Sequence, residues 1–216
     1  MLDSLSEANA WQVTTTELTG IGNRIMIDAE KLQADLKTHY IDGIAREGNT
    51  EFSCPLITPI DENFWQGGCI NGVNLQGYFK HIISLYPWER YNPGGELDSF
   101  TEVRLYDGPV VPDEFQLFNL ARHINFCRQH GRTLVHCQAG LNRSGLLAGL
   151  ALVLSGVKPL KAIQQLRAVR TPAVLCNRKF AEWLTDQKCP SKPRQPKAKR
   201  EMCIRCGHVI CTCVLR

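Results

Sequence analysis

Long apolar runs are missing from this chain of 216 residues. None approaches the roughly 20 residues that a helix needs to cross a bilayer, so no spanning helix is expected. The first ten residues hold Asp3 and Glu7 but no basic residue and no apolar stretch, so a secretory leader is not expected and the cytoplasm is the expected location. Repeats at a fixed period are also missing, which leaves one core rather than an array. Nor do the ten cysteines form a disulfide framework: their spacing is uneven, four crowd into the last 14 residues, and reduced thiols are expected.

What is present is the composition of a soluble globular protein, 44% hydrophobic and 21% charged. The length suits one domain of about 100 to 200 residues with appendages. The net charge of +4 is unevenly distributed, because Lys188 to Arg216 carries eight Lys or Arg against one Glu and leaves the preceding residues near −3. The expected organisation is an N-terminal extension over 1–48, a globular domain over 49–187, a basic linker over 188–200 and a Cys/His cluster over 201–216.

In the extension, Ile25 to Tyr40 has weak helical character, with Ile27, Leu32 and Leu36 as apolar positions. From Phe52 onward, short apolar runs bounded by turn residues predict strands at Pro55 to Ile60, Asn63 to Gln66, His81 to Tyr86 and Thr101 to Tyr106. A helix is expected over Pro112 to Gln129, with Phe115, Phe118, Ile124 and Cys127 near one face. Gly131 stands where a closing residue of positive φ is expected. Thr133 to His136 reads as a buried strand and Leu146 to Leu154 as a helix buried on all sides, ended by Gly156. A further helix starts at Pro159 and points Leu160, Ile163, Leu166 and Val169 inward. Strands alternating with helices predict an α/β fold, with a central mixed or mostly parallel sheet flanked by helices.

Between the last strand and the all-apolar helix lies His136-Cys137-Gln138-Ala139-Gly140-Leu141-Asn142-Arg143-Ser144. Backbone N–H groups of such a turn converge on one point. With the helix dipole, they favour an anion and an ionised thiol at Cys137. Gly140 lets the backbone turn tightly. Arg143 offers a planar fork to two oxygens of a phosphate. The hydroxyl of Ser144 can donate to the cysteine sulfur, and His136 is expected to face away from substrate and fix the loop through backbone carbonyls.

His-Cys-x5-Arg-Ser between strand and helix resembles the cysteine-dependent protein tyrosine phosphatase superfamily, and the chain from about Phe52 to Leu184 resembles its dual-specificity branch. Phe64-Trp65-Gln66-Gly67-Gly68 is similar to the entry strand of those domains. Arg170 to Leu184, with Pro172, Asn177 and Phe180, is similar to their closing segment. The resemblance implies a phosphatase acting on phosphotyrosine and phosphoserine/threonine of proteins through a phosphocysteine intermediate, without a cofactor for catalysis. Cys137 would be the nucleophile, Arg143 and the loop Gln138, Ala139, Gly140, Leu141 and Asn142 the phosphate cradle, and Ser144 the donor to the leaving sulfur.

The general acid of the family lies about 30 residues before the nucleophile. Asp107 fits, with Gly108-Pro109 to bend its loop, whereas its competitor Asp113 suits the start of a helix. Asn177 is expected to brace one of these loops or to cap the last helix. The neutral Gln138, Leu141 and Asn142 speak against a polyanionic lipid head group. The brevity of the catalytic region implies a shallow cleft. Asn142 before Arg143 resembles relatives that remove 5′ phosphates from RNA, which stands as an alternative, as does a catalytically inactive phosphate-binding module.

In the tail, Cys203, Cys206, Cys211 and Cys213, with His208 as a substitute, have the ligand density of a structural zinc site. The basic residues before it suit an RNA or another acidic partner. Cys54, Cys69, Cys127, Cys176 and Cys189 read as buried fillers, any of which could shield Cys137 by forming a disulfide if it lies close.

Overall fold

The computed structural model describes residues 39–45 and 50–189. The expected helix from Ile25 lies outside the described residues except for its end, where Tyr40 begins a strand instead; the basic linker beyond residue 189 and the whole Cys/His cluster also lie outside them.

Two strands, β1 (Tyr40–Ala45) and β2 (Thr50–Pro55), form an antiparallel hairpin with Tyr40 opposite Pro55 and Ala45 opposite Thr50. This hairpin straddles residue 48. The main sheet has five strands: β3 (Ile57–Pro59), β4 (Phe64–Gly67), β5 (His81–Ser84), β6 (Ser99–Glu102) and β7 (Thr133–His136), in the order β3-β4-β7-β5-β6. Only the β3–β4 pair is antiparallel. Gly67, His136, Ser84 and Glu102 stand side by side at the carboxyl ends of the four parallel strands, the edge where open α/β sheets present their functional loops.

Side chains alternate across the sheet. Phe64, Ile83 and Val135 point to one face, where helices α1 (Glu114–His130), α2 (Arg143–Leu154), α3 (Pro159–Val169) and α4 (Arg178–Thr185) contribute to a common core. Trp65, Ile82 and Leu134 point to the other, which irregular backbone covers. There Trp65, Tyr78 and Phe79 meet edge to face with centroids 5.1 to 5.7 Å apart, a favoured aromatic geometry. Every residue of α2 from Arg143 to Val153 is buried, as its apolar sequence requires.

The element boundaries differ from the sequence expectation for physical reasons. Thr101 to Tyr106 is a strand only as far as Glu102. Beyond it, buried Val103 and Leu105 alternate with exposed Arg104 and Tyr106, so the segment keeps a strand's polarity pattern while leaving the sheet. Pro55 to Ile60 is split between the end of β2 and β3. On α1 the buried stripe is Leu117, Leu120, Ala121, Ile124 and Cys127, while Phe115 is exposed and Phe118 only partly covered. On α3, Ala162, Ile163 and Leu166 are buried and Leu160 and Val169 are exposed, because a stripe at intervals of three drifts off the face of a 3.6-residue helix.

Gly131 closes α1 with φ 170°, which is extended backbone and not the left-handed conformation expected. Glycine is needed there for room: a Cβ would stand 2.9 Å from Lys80 Cβ. Gly131→Ala should therefore cost about 1 to 2 kcal/mol by overpacking, and Gly131→Asn at least as much. A urea titration in which Asn proves better than Ala would restore the left-handed explanation.

Candidate active site

Cys137 follows directly on β7, with its side chain buried and its Sγ 3.4 Å from Ser144 Oγ in the first turn of α2. The loop between them is held entirely from outside. The Gln138 carbonyl accepts from Cys69 N (2.8 Å), Ala139 from Arg170 Nη2 (3.1 Å), and Gly140 from Arg170 Nε and Gln66 Nε2 (2.9 Å each). Leu141 accepts from Leu175 N (3.2 Å) and Asn142 from Leu146 N (2.7 Å). With five successive carbonyls anchored to the scaffold, the N–H groups of Gln138 to Asn142 are left without a hydrogen-bond partner among the described residues. Clustered backbone donors of this kind at a helix N-terminus form an anion site.

Gly140 makes the geometry attainable. It has φ +72°, and a Cβ there would lie 2.4 Å from backbone atoms of both Gly67 and Gly68. Leu175 adopts φ +56°, a strained conformation for a non-glycine residue, and is held there by its N–H bond to the Leu141 carbonyl and by full burial.

Sequence reasoning placed Arg170 in the closing segment without a role. Its guanidinium also donates to the carbonyl of Pro55 (2.7 Å), to Thr58 Oγ1 (3.0 Å) and to the carbonyl of Leu56 (3.4 Å). Burial lowers its pKa, opposed by the nearby Cys54, Cys137 and Tyr91. Gln66, the middle of Phe64-Trp65-Gln66-Gly67-Gly68, was likewise read as structural only, and it reaches the loop and Ser144 Oγ (3.4 Å). The signal available in the sequence was a long polar side chain inside an apolar strand.

Arg143, the first residue of α2, is 7% exposed. Its Nη1 donates to the Leu105 carbonyl at 3.3 Å, while its Nε is buried with no partner among the described residues. The guanidinium lies 5.1 Å from the Tyr86 ring centroid, and from there a stack runs outward. Tyr86 and Trp88 are 4.9 Å apart, and Arg104 sits 4.6 Å from Trp88 and 4.7 Å from Tyr106. This aromatic wall, which no sequence pattern announced, leads from Arg143 to the residue before Asp107.

Asp107 is exposed and tied to both neighbouring segments, accepting from Asn142 Nδ2 and from Asn177 Nδ2 at 3.0 Å each. Asn177 does both things expected of it. Its Nδ2 also holds the Gly108 carbonyl at 2.9 Å, and its Oδ1 caps α4 through Lys179 N and Phe180 N. Asn142 Oδ1 accepts from Asn177 N at 2.9 Å and from Cys176 Sγ at 3.3 Å. Asp113 caps α1 by accepting from Gln116 N at 2.8 Å, the bland role expected of it.

His136 is buried against the edge of Tyr91, with centroids 5.1 Å apart and Nδ1 unpartnered among the described residues. Tyr91 in turn donates to the Gly68 carbonyl at 2.6 Å. Burial pushes His136 down to about 4, against a smaller opposing effect of the Cys137 backbone. Burial, with Glu89 and Cys137 adding, pushes Cys69 up to about 12, so this thiol beside the loop stays protonated. The proposed tail ligands Cys203, Cys206, Cys211 and Cys213 lie outside the described residues, and among the described residues no group of three or more His, Cys, Asp or Glu is placed to hold a metal.

Residues 107–194 match the family described as protein-tyrosine phosphatase. A curated relative, Protein tyrosine phosphatase domain-containing protein 1 of Danio rerio, is 33% identical over 89 residues, which is 38% of this chain. The match spans only 12% of that relative's length. Among solved structures, a mouse dual specificity phosphatase complexed with zinc tungstate superposes with a TM-score of 0.52 at 19% identity, over 63% of this chain and 89% of that one. Tk-PTP in the active form superposes with 0.51 at 20% identity, over 62% and 98%. At these identities the two structures show a shared fold.

The depressed pKa of His136 has a sign that can be tested. Between 6.5 and about 4 the unfolded chain binds a proton that the folded chain refuses, so stability should fall as pH drops through that window, by on the order of 3 kcal/mol from this residue. Urea denaturation at pH 7 and pH 4.5 should show the loss, and His136→Gln should flatten the slope. An unchanged slope would mean that His136 titrates alike in both states.

Proposed function

We propose that this chain, a member of the cysteine-dependent protein tyrosine phosphatase superfamily, hydrolyses phosphate monoesters on protein side chains through a phosphocysteine intermediate at Cys137. The observation that carries the reading is the run of N–H groups from Gln138 to Asn142, unpartnered among the described residues and directly following a buried cysteine, together with the unpartnered Nε of Arg143. A phosphate dianion supplies the acceptors that these donors lack. A loop serving only as a turn would have no reason to turn five carbonyls away from a thiol.

In the first step Cys137 Sγ attacks phosphorus in line. The S–P bond forms as the P–O bond to the substrate breaks, and Asp107 gives its proton to the departing oxygen. The loop amides and the Arg143 fork hold the three equatorial oxygens, on which the charge is greatest in the transition state. In the second step water attacks phosphorus, Asp107 takes its proton, and the sulfur leaves as a thiolate that accepts a hydrogen bond from Ser144. Asn142 and Asn177 keep Asp107 at the mouth of the loop.

The leaving group departs between Arg143 and Asp107, along the wall of Tyr86, Trp88 and Tyr106, which suits an aromatic ring. Trp88 and Tyr106 are largely exposed, so the opening also admits the shorter phosphoserine and phosphothreonine. The RNA reading loses its support from Asn142, whose amide is engaged with Asp107, Cys176 and Asn177 and is not presented to a ligand. An inactive binding module has no use for Ser144 beside the sulfur.

Cys137→Ser should abolish turnover while leaving the thermal transition within a few degrees. Normal hydrolysis by that variant would refute the nucleophile. Asp107→Asn should lower kcat on phosphoserine peptides by about 10²- to 10⁴-fold, but far less on nitrophenyl phosphate, whose leaving group needs little protonation. An equal loss on both would assign Asp107 a structural role.

A further inference from the structure

Val110 and Phe115 are the most exposed large apolar side chains among the described residues, at 74% each, and they flank the start of α1. One turn beyond Phe115, Phe118 meets Trp183 of α4 edge to face with centroids 6.1 Å apart. Trp183 Nε1 also donates to Glu114 Oε1 at 2.9 Å, so α1 and α4 share one surface. Both rings are only partly covered. An exposed apolar patch rimmed by polar groups marks a contact surface. The rim here is acidic: Asp113, Glu114 and Asp186 are exposed and form no ion pair among the described residues. Asp113 accepts from Gln116 N and Glu114 from Trp183 Nε1, neutral partners that leave both charges uncompensated. Arg122, 5.7 Å from the Phe118 ring centroid, limits the acidic region toward the carboxyl end of α1.

The chain leaves α4 beside this patch. Gln187 Nε2 donates to the Trp183 carbonyl at 2.8 Å, and three residues later the sequence reads Pro190-Ser191-Lys192-Pro193-Arg194-Gln195-Pro196-Lys197. A polyproline II helix has three residues per turn, so proline at every third position would form one ridge, with Lys192, Arg194 and Lys197 on the other sides. Aromatic surfaces bind such ridges at low entropic cost because the conformation is set beforehand. We propose that Pro190 to Lys197 docks on the patch of Val110, Phe115, Phe118 and Trp183, its prolines on the rings and its cations against Asp113, Glu114 and Asp186. The acidic partner expected for the basic linker is then a surface of the same chain. A second copy is a poorer occupant, since a stable interface buries about 800 Å² per partner and four side chains, two of them partly covered already, fall well short of that. An attached segment needs far less area, because a short tether holds it at an effective concentration in the mM range. Docking there does not depend on the reaction at Cys137.

The test titrates the full chain calorimetrically with a synthetic peptide of residues Pro190 to Lys199. In the unsubstituted chain the attached segment competes with the peptide. With Pro193→Gly, Pro196→Gly, Arg194→Ser and Lys197→Ser in the chain it no longer does, and the peptide should bind about tenfold tighter, for an effective concentration of ~1 mM against a Kd on the order of 0.1 mM. Adding Phe115→Ser, at an exposed position, should remove this binding. Glu114→Gln with Asp186→Asn should weaken it and flatten its fall with rising salt. A second measurement needs no added peptide: with p-benzoylphenylalanine in place of Phe115, irradiation of the otherwise unsubstituted chain should give an adduct to residues 190–197 of the same chain, located by mass spectrometry.

Equal binding of the peptide by the two chains, or binding by neither, would overturn the proposal. So would a gain that survives Phe115→Ser, which places the segment elsewhere. An adduct that joins two chains would also overturn it, because the patch would then belong to an interface between copies.

Discussion

A single buried cation underlies the geometry of the loop. The Arg170 guanidinium reaches the carbonyls of Ala139 and Gly140 on one side and Pro55, Leu56 and Thr58 on the other, so the turn after β7 and the entry to β3 are fastened to one group. Removing a guanidinium from water is costly, and five acceptors around it offset that cost without a carboxylate to neutralise it. The positive charge therefore remains available beside Cys137. An ammonium could not reproduce the fork, and loss of the side chain would leave buried carbonyls unsatisfied and free to turn inward toward Cys137.

Around that fixed loop the other parts are linked by amides. Asn177 ties Asp107 and Gly108 to the start of α4, and Asn142 ties the same carboxylate to the loop. The proposed acid, the proposed nucleophile's loop and the closing segment are thus tied to one another, although Asp107, Asn142 and Asn177 come from distant parts of the chain. The parallel strands make this meeting possible. Their carboxyl ends finish in line, so segments after β5, β6 and β7 emerge side by side and bring Tyr86, Asp107 and Cys137 to one edge.

Much of this was legible in the chain. A Cys at the junction of a buried strand and an all-apolar helix, with Gly three residues on and Arg six on, states its chemistry locally, because the spacing of a strand-to-helix turn is set by backbone geometry alone. The mostly parallel sheet followed from alternating strand and helix patterns. The apolar α2 was legible for the same reason, since no face of it could tolerate water. Boundaries were less legible where a segment keeps alternating burial after leaving the sheet, as Val103 to Tyr106 does.

The sequence by itself determined the tight strand-to-helix turn at Cys137, the order of elements from β3 onward and the identity of the residues beside the turn, since each depends on neighbours within a few positions. Only the tertiary structure decided that Arg170 and Gln66 hold the loop carbonyls, that Asn142 braces Asp107, and that Tyr86, Trp88, Arg104 and Tyr106 stack into a wall. It alone decided that Gly131 is needed for clearance from Lys80 and not for its dihedral. Apart from the neighbours within the wall, those roles belong to contacts between residues 16 to 115 positions apart, and the partner of a long polar side chain across such a span is set by how the layers pack, which no local pattern encodes.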